Sequence, residues 1–341
     1  MSMPSVHKVT VLPAEVTFDC SEEEPILVAA LQHGLGLPYG CRKGNCGTCK
    51  AQVLDGEVDL EVESTYSLSS FERDQGFTLL CSAYAVSDLV VEMEGLEATD
   101  LDELVPAVEV EATVRSVTPL THDIRGVVLE LDGNLEFRAG QFAEVNIPGT
   151  DVWRSYSMAN PPSRPGAVEF MIKLVPGGVF SAHLEQMEPG SRLRLRAPHG
   201  SFWVRERDRP ILMVGGGAGM APLWGMLQDL AERGDTRPVT FFYGARTAGD
   251  LFHLDEIDAI SERLTDFRFI PALSDVTPGE AGRYECGLIT DVVERVMGRG
   301  IAACDAYLCG PPPMIDAALE LLEAFGLEER RSIFYDKFTA S

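Results

Sequence analysis

Basic residues are scarce in this chain: 28 lysines and arginines stand against 53 aspartates and glutamates, for a formal net charge of −25. That balance argues against nucleic acid or an anionic membrane as a partner, because both recruit cationic surface. Long apolar runs are missing too. The longest charge-free stretch, PILMVGGGAGMAPLWGMLQ from Pro210 to Gln228, is broken by Gly215, Gly216, Gly217, Gly219 and Pro222, whereas a membrane-spanning helix needs about 20 predominantly apolar residues. The opening MSMPSVHKVTVLPAEV has no apolar core of the signal-peptide kind, so a cytoplasmic location is expected. No internal repeat and no low-complexity tract interrupts the 341 residues, a length that suits two or three domains. Cysteine is sparse and uneven: Cys20, Cys41, Cys46, Cys49, Cys81, Cys286, Cys304 and Cys309. Disulfide frameworks belong to small secreted domains, so metal or redox chemistry is the better expectation here.

What is present falls into three styles of sequence. KVTVLPAEVTF reads as two strands about a turn at Pro13, EEEPILVAALQHGLGLP as a short capped helix, KAQVLDGEVDL as a hairpin turning at Asp55-Gly56, and DLVVEME as a further strand. This predicts an α+β domain over 1–97, followed by an acidic linker over 98–106. From Val108, six short strands separated by Gly and Pro turns predict an antiparallel β-barrel over 107–208. From 209 to 341, apolar strands such as PILMVGGG, RPVTFFYGAR, FRFIPALSD and DAYLCGPPP alternate with helical stretches, as in an α/β domain with a parallel sheet.

Cys41-x4-Cys46-x2-Cys49 lies in a glycine-rich loop with Gly40, Gly44 and Gly47, and Cys81 follows after 31 residues. Structural zinc pairs its cysteines as two x2 units, and only one is present. The x4/x2 spacing with a distant fourth thiolate is the plant-type [2Fe–2S] arrangement. Backbone N–H groups of the loop, with Arg42, Lys43 and Lys50, are expected to offset the charge gained on reduction. In the barrel segment, RSYS (Arg154, Ser155, Tyr156, Ser157) offers a guanidinium fork for a phosphate, a ring to stack on a flavin and a hydroxyl within reach of a ring nitrogen. GGVFS (Gly177, Gly178, Val179, Ser181) opens a helix able to hold a second phosphate. Two phosphate elements imply FAD rather than FMN. Asn160 and Lys173 are weaker candidates, Lys173 being equally readable as a surface lysine. GGGAGMAP follows a strand and precedes a helix without fitting G-x-G-x-x-G, and no acidic residue ends the next strand, so an ordinary Rossmann dehydrogenase is disfavoured. CGPPPM, Cys309 to Met314, forms a rigid loop at a strand's carboxyl end, where α/β sheets bind ligands.

Taken together, residues 1–97 resemble a plant-type ferredoxin of β-grasp fold, and the remainder resembles the ferredoxin–NADP⁺ reductase superfamily. The domain order is similar to that of reductase components of bacterial multicomponent oxygenases. The resemblance implies Cys41, Cys46, Cys49 and Cys81 as cluster ligands, and the R-x-Y-S and G-x-x-S strings as FAD motifs. It implies Gly216, Gly217, Gly219, Met220 and Pro222 as the nucleotide turn, with Gly310, Pro311 and Met314 beside it. It places Cys309 next to the nicotinamide, a buried structural thiol being the bland alternative, and Phe338, ahead of Tyr335, over the flavin. With Ser157, these are the candidates nearest the chemistry. NADPH-using relatives often carry arginine where this chain has Asp275 after Ser274; a carboxylate there repels a 2′-phosphate and accepts a ribose hydroxyl, so NADH is the expected coenzyme. The implied activity is electron transfer from NADH through FAD and the cluster to a separate hydroxylase, with the reductase a monomer. ERGDTRPVTFFYGAR and CGPPPMIDAALE resemble reductases of soluble diiron monooxygenases of the phenol, propane and alkene type. A Rieske dioxygenase reductase and a non-catalytic redox sensor are the alternatives. The hydroxylase itself lies elsewhere, since the chain has neither a Glu-x-x-His pair nor a Cys-x-His spacing.

Overall fold

The computed structural model describes residues 4–61, 67–96, 98, 101, 104–275 and 282–338. The expected domain end at Glu97 and parts of the expected linker lie outside them. The chain forms two compact units, residues 1–105 with 329–331, and residues 106–328 with 332–341.

The first unit contains β1 (Val6–Leu12), β2 (Val16–Ser21), α1 (Ile26–Gln32), β3 (Lys50–Asp55), β4 (Val58–Leu60), α2 (Ser70–Asp74), β5 (Phe77–Leu79), β6 (Ala83–Ala85) and β7 (Leu89–Glu92). Its main sheet runs β2-β1-β7-β3-β5, with β1 and β7 parallel at the centre. Alternation along β1 buries Val9 and Val11 against Ile26, Leu27, Ala29 and Ala30 of α1. The expected hairpin at Asp55-Gly56 does not form. β3 pairs with β5 and β7, and β4 pairs with β6 instead. Gly56 takes φ +90°, and a Cβ there would lie 2.1 Å from the Asp88 carbonyl oxygen, so the chain bends away beneath the loop before β7.

The second unit begins with β8 (Val108–Pro119), β9 (Ile124–Leu131), β10 (Phe142–Asn146), β11 (Trp153–Ser157), β12 (Ala167–Lys173), α3 (Val179–Leu184) and β13 (Arg192–His199). These strands form the order β11-β10-β13-β8-β9-β12, and an antiparallel bridge between Met158 and Phe170 brings its two edges together as a barrel. The six strands are those expected. Next come β14 (Ile211–Gly216), α4 (Met220–Arg233), β15 (Val239–Ala245), α5 (Leu254–Ser261), β16 (Phe267–Leu273), β17 (Glu285–Cys286), α6 (Ile289–Met297), β18 (Asp305–Gly310), α7 (Pro312–Ala324) and β19 (Ile333–Lys337). The sheet order is β17-β16-β15-β14-β18-β19, all parallel. β17 and the edge strand β19 extend it beyond the four strands legible beforehand.

Successive strands after β14 step outward one way, and β18 then returns to the other side of β14. The crevice at the carboxyl ends of β14 and β18 is therefore the topological switch point, where open α/β sheets bind ligands. Helix α4 also touches the barrel. A Cβ on Gly225 would lie 3.1 Å from the Met158 carbonyl oxygen, and Gln228 Nε2 donates to Ala159 O at 2.9 Å. The end of the RSYS strand is thereby fixed against the helix that follows the glycine turn.

Candidate cofactor sites

In the cysteine loop, Arg42, Gly44 and Gly47 adopt left-handed φ of 57°, 73° and 83°. The resulting turns aim amides at sulfur: Lys43 N and Asn45 N lie 3.4 and 3.3 Å from Cys41 Sγ, and Cys41 N lies 3.4 Å from Cys46 Sγ. Among the described residues no three His, Cys, Asp or Glu side chains are grouped to hold a single metal ion. The sulfurs fall into two hydrogen-bonded pairs, Cys41 with Cys46 and Cys49 with Cys81. Two ligands for each of two metals is the donor set of a binuclear cluster. In each pair one thiol is made acidic at the other's expense. The Cys46 side chain and the loop amides hold Cys41 down to about 6 against the effect of burial. Cys49, Ser82 and the Gly44 amide hold Cys81 down to about 7. Cys46 and Cys49 are pushed up, first by those same hydrogen bonds and then by burial. One sulfur of each pair is thereby biased toward the thiolate that a thiolate-ligated centre requires.

Three side chains near the loop gave no signal in advance. The Thr48 hydroxyl is buried, has no partner at ordinary hydrogen-bond distance and favours the Cys46 thiolate. Ser67 Oγ donates to the Gly44 carbonyl, fastening the turn. Glu72 takes Lys50 Nζ at 2.5 Å while completing a capping box with Ser69. Lys50 is thus committed to Glu72, a correction to its expected service to the cluster alone.

The barrel residues divide. Arg154 donates only to the Trp153 carbonyl at 3.1 Å and has no acidic partner among the described residues. Arg164, Arg192, Arg194 and Arg196 of the same barrel are each paired with a carboxylate. With four further N–H donors idle, Arg154 fits a phosphate. Tyr156 lies 5.0 Å from Phe180 between ring centroids, its hydroxyl pushed up by burial. Ser157 is 5% exposed and ends β11. Ser181 Oγ accepts Val175 N at 2.9 Å, which closes the loop before α3 and leaves the hydroxyl proton for a ligand. Gly177 (φ +74°) has open space around it, and Val179 is exposed beside it.

Three candidates are corrected by packing. Strand alternation puts Ser155 and Ser157 on the face opposite Arg154 and Tyr156; Ser155, paired with Glu144, is exposed there, while Ser157 is buried at the strand end. Asn160 is fully buried. Its Nδ2 donates to Pro161 O and Ala167 O, and its Oδ1 accepts Glu169 N, so it shapes the loop under α4 and both its side-chain donors are spent there. Lys173 Nζ pairs with Asp123 at 3.2 Å on the surface.

The crevice brings the two nucleotide motifs together. Gly215 stands in register with Tyr243 on one side and Cys309 on the other. A Cβ on Gly219 would lie 2.1 Å from the Cys309 carbonyl oxygen, and one on Gly216 would lie 2.7 Å from Met314 Sδ. Only glycine permits that approach of the turn to β18. Met220 and Pro222 pack into the core under α4, so Met220 serves the turn through its backbone alone and Pro222 has no N–H to offer. Cys309 is fully buried and its thiol is pushed well up by burial, then by Asp336, so it stays neutral. Pro311 N-caps α7 and is exposed at the rim. Phe338 N donates to Gly310 O at 2.9 Å, and its ring packs on the core layer that contains Cys309. Tyr335 packs on the opposite side of the sheet, where Lys337 lies over its ring. Ser274 and Asp275 follow β16, exposed, with Asp275 N bonded to Arg246 O at 2.8 Å.

Three family models match in the same order. A 2Fe-2S iron-sulfur cluster binding domain matches residues 9–86, an oxidoreductase FAD-binding domain 111–203 and an oxidoreductase NAD-binding domain 213–320. The chain is 43% identical to the reductase component of propane 2-monooxygenase from Mycolicibacterium goodii, over 99% of both. The chain belongs to the oxygenase reductase components. Among solved structures the reductase is similar to an Amycolatopsis cytochrome P450 reductase (TM-score 0.79, 34% identity, 98% and 99% covered). It is also similar to the ferredoxin reductase of carbazole 1,9a-dioxygenase (TM-score 0.72, 32% identity, 99% and 100% covered). The reductase is an NADH oxidoreductase whose cofactors are FAD and a [2Fe–2S] cluster. Among its described residues no helix is long and apolar enough to cross a membrane.

Proposed function

We propose that the reductase oxidises NADH and passes the electrons singly to the hydroxylase of a soluble diiron monooxygenase of the propane or phenol type. FAD held by the reductase would supply both hydride and single-electron chemistry, the link needed between a two-electron donor and a one-electron cluster. The protein's part is placement. Arg154 and Ser181 hold the two flavin phosphates, and Tyr156 stacks beside the ring with Ser157 at its edge. The turn from Gly216 to Met220 receives the dinucleotide pyrophosphate through backbone N–H groups at the start of α4. Cys309, neutral and dehydrated, lies beside the nicotinamide with Gly310 and Phe338, and Phe338 yields its place to the incoming ring. Asp275 accepts a ribose hydroxyl and disfavours a 2′-phosphate. Cys41, Cys46, Cys49 and Cys81 hold the cluster, from which the hydroxylase draws.

The observation that carries this reading is the meeting of the Gly219 turn with the Cys309 backbone at the switch point. We divide the chain functionally at 1–97, 107–208 and 209–341, with 98–106 as linker. One chain supplies every residue named above, which supports a monomer, and the use of NADH supports a cytoplasmic location. The 43% identity to a propane 2-monooxygenase reductase, against 32% to the carbazole dioxygenase reductase, favours the diiron partner over a Rieske one. Reconstitution decides between them. With NADH, the reductase should support product formation by propane- or phenol-monooxygenase hydroxylases and give little with a Rieske dioxygenase. Coupling to the dioxygenase alone would overturn the assignment.

A further inference from the structure

Tyr243 lies towards the carboxyl end of β15 and is 1% exposed, one of the largest fully buried side chains among the described residues. Its ring meets Phe252 edge-on at 5.9 Å. A buried tyrosine needs a partner for its hydroxyl, and the partner here is the Gly217 carbonyl oxygen, 2.9 Å away. Gly217 is the left-handed residue of the turn, at φ +57°. Its neighbours are held by contact: Gly215 against Leu223, Gly216 against Met314 and Gly219 against the Cys309 carbonyl. Nothing lies within 4 Å of a Cβ built on Gly217. At the one glycine of the turn that packing leaves open, the carbonyl oxygen takes a backbone N–H from the end of its own turn, and the tyrosine adds the side-chain restraint.

A trans peptide is planar, with its C=O and the next N–H pointing in opposite directions. Tying the Gly217 oxygen to Tyr243 therefore turns the Ala218 N–H away from the tyrosine. If the peptide flipped, which a glycine permits at little cost, the turn would present a carbonyl oxygen where an anion is to bind. We propose that Tyr243 is a positioning residue for the dinucleotide: its hydroxyl latches the Gly217–Ala218 peptide so that a donor, and not an acceptor, faces the pyrophosphate. The inference rests on the reading of this turn as the nucleotide site.

The surroundings suit a permanent donor. Burial, then Asp250 and Asp123, raise the ionisation of Tyr243 beyond the working pH range. Both carboxylates have nearer partners: Asp250 takes Thr247 N and Oγ1 at 3.0 Å and His122 at 3.3 Å, and Asp123 takes Thr121 Oγ1 at 3.0 Å and Lys173 at 3.2 Å.

Tyr243→Phe in the holo-reductase keeps the ring and removes the latch. KM for NADH and Kd for NAD⁺ should each rise about three- to ten-fold, the worth of one neutral hydrogen bond, with kcat for ferricyanide reduction changed less than about two-fold. FAD and cluster content should stay at wild-type levels. Reduced nicotinamide mononucleotide has no pyrophosphate, so kcat/KM for it should be the same in both proteins. An unchanged KM for NADH, or an equal penalty on the mononucleotide, overturns the latch. Gly219→Ala separates this from failure of the site itself. If it leaves NADH use untouched, the turn is not the nucleotide site; if it impairs NADH use while Tyr243→Phe does not, only the latch fails.

Discussion

Three of the four proposed cluster ligands lie within nine residues, Cys41 to Cys49, whereas the proposed nucleotide crevice gathers Gly216–Met220, Tyr243, Asp275, Cys309 and Phe338 from segments spread across the last third of the chain. The loop achieves its shape locally, through left-handed turns and amides aimed at sulfur. The crevice exists only because parallel register sets Gly215 between Tyr243 and Cys309. Charge separates the regions as well: the first 100 residues carry 17 acids against 5 bases, and the remaining 241 carry 36 against 23. A contiguous site can fail without disturbing its neighbours, while a site assembled from strand ends shares the fate of its sheet.

The largest effect should come from breaking the contiguous site. Cys46→Ser removes one ligand of the Cys41–Cys46 pair, so the visible spectrum of the cluster should be lost and NADH-driven cytochrome c reduction should fall by more than about 100-fold. NADH-to-ferricyanide turnover, which needs only the flavin and the crevice, should stay within about two-fold of wild type. Parallel loss of both activities would show that the two regions are not separable. An intermediate effect is expected at the crevice rim. Asp275→Ser should lower the preference for NADH over NADPH in kcat/KM by about ten-fold, of the order of one charged contact. If the wild-type enzyme used the two coenzymes equally, the role of that carboxylate would be lost.

The smallest effect lies beside the cluster loop. Burial pushes the Glu72 carboxyl up, but Lys50 and Ser69 outweigh it and leave the pKa lowered. A depressed carboxylate stabilises the fold above its unfolded value of about 4.3 and loses that contribution as pH falls through its folded value. Glu72 is 33% exposed, so Glu72→Gln should cost no more than about 1 kcal/mol at pH 7. The gap in melting temperature, followed by bleaching of the cluster, should close in acid below about pH 4. A gap that widens in acid would reverse the sign of this linkage.

Much of the architecture was legible because its signals are local. The six barrel strands carry turn residues between them, and the parallel-sheet strands are continuous apolar runs. The hairpin at Asp55-Gly56 failed because its turn signal is equally compatible with a bend, and the Asp88 carbonyl beneath Gly56 was invisible. β19 was not legible as a strand because an edge strand of five residues needs β18 beside it to be a strand at all.

Residue order alone determined the three cofactors and the sequence of modules and singled out the candidate cluster cysteines, since thiolate spacing and glycine turns act over a few residues. Tertiary structure decided which polar side chains remain free. Asn160, Lys173 and Lys50 looked available and are spent on backbone, Asp123 and Glu72, while Arg154 keeps an open guanidinium. It also decided that a core tyrosine bonds the Gly217 carbonyl of the glycine turn. The reason is that a buried donor or acceptor must be satisfied by whatever the fold brings within about 3 Å, and that partner is set by packing across the sheet, not by neighbours in the chain.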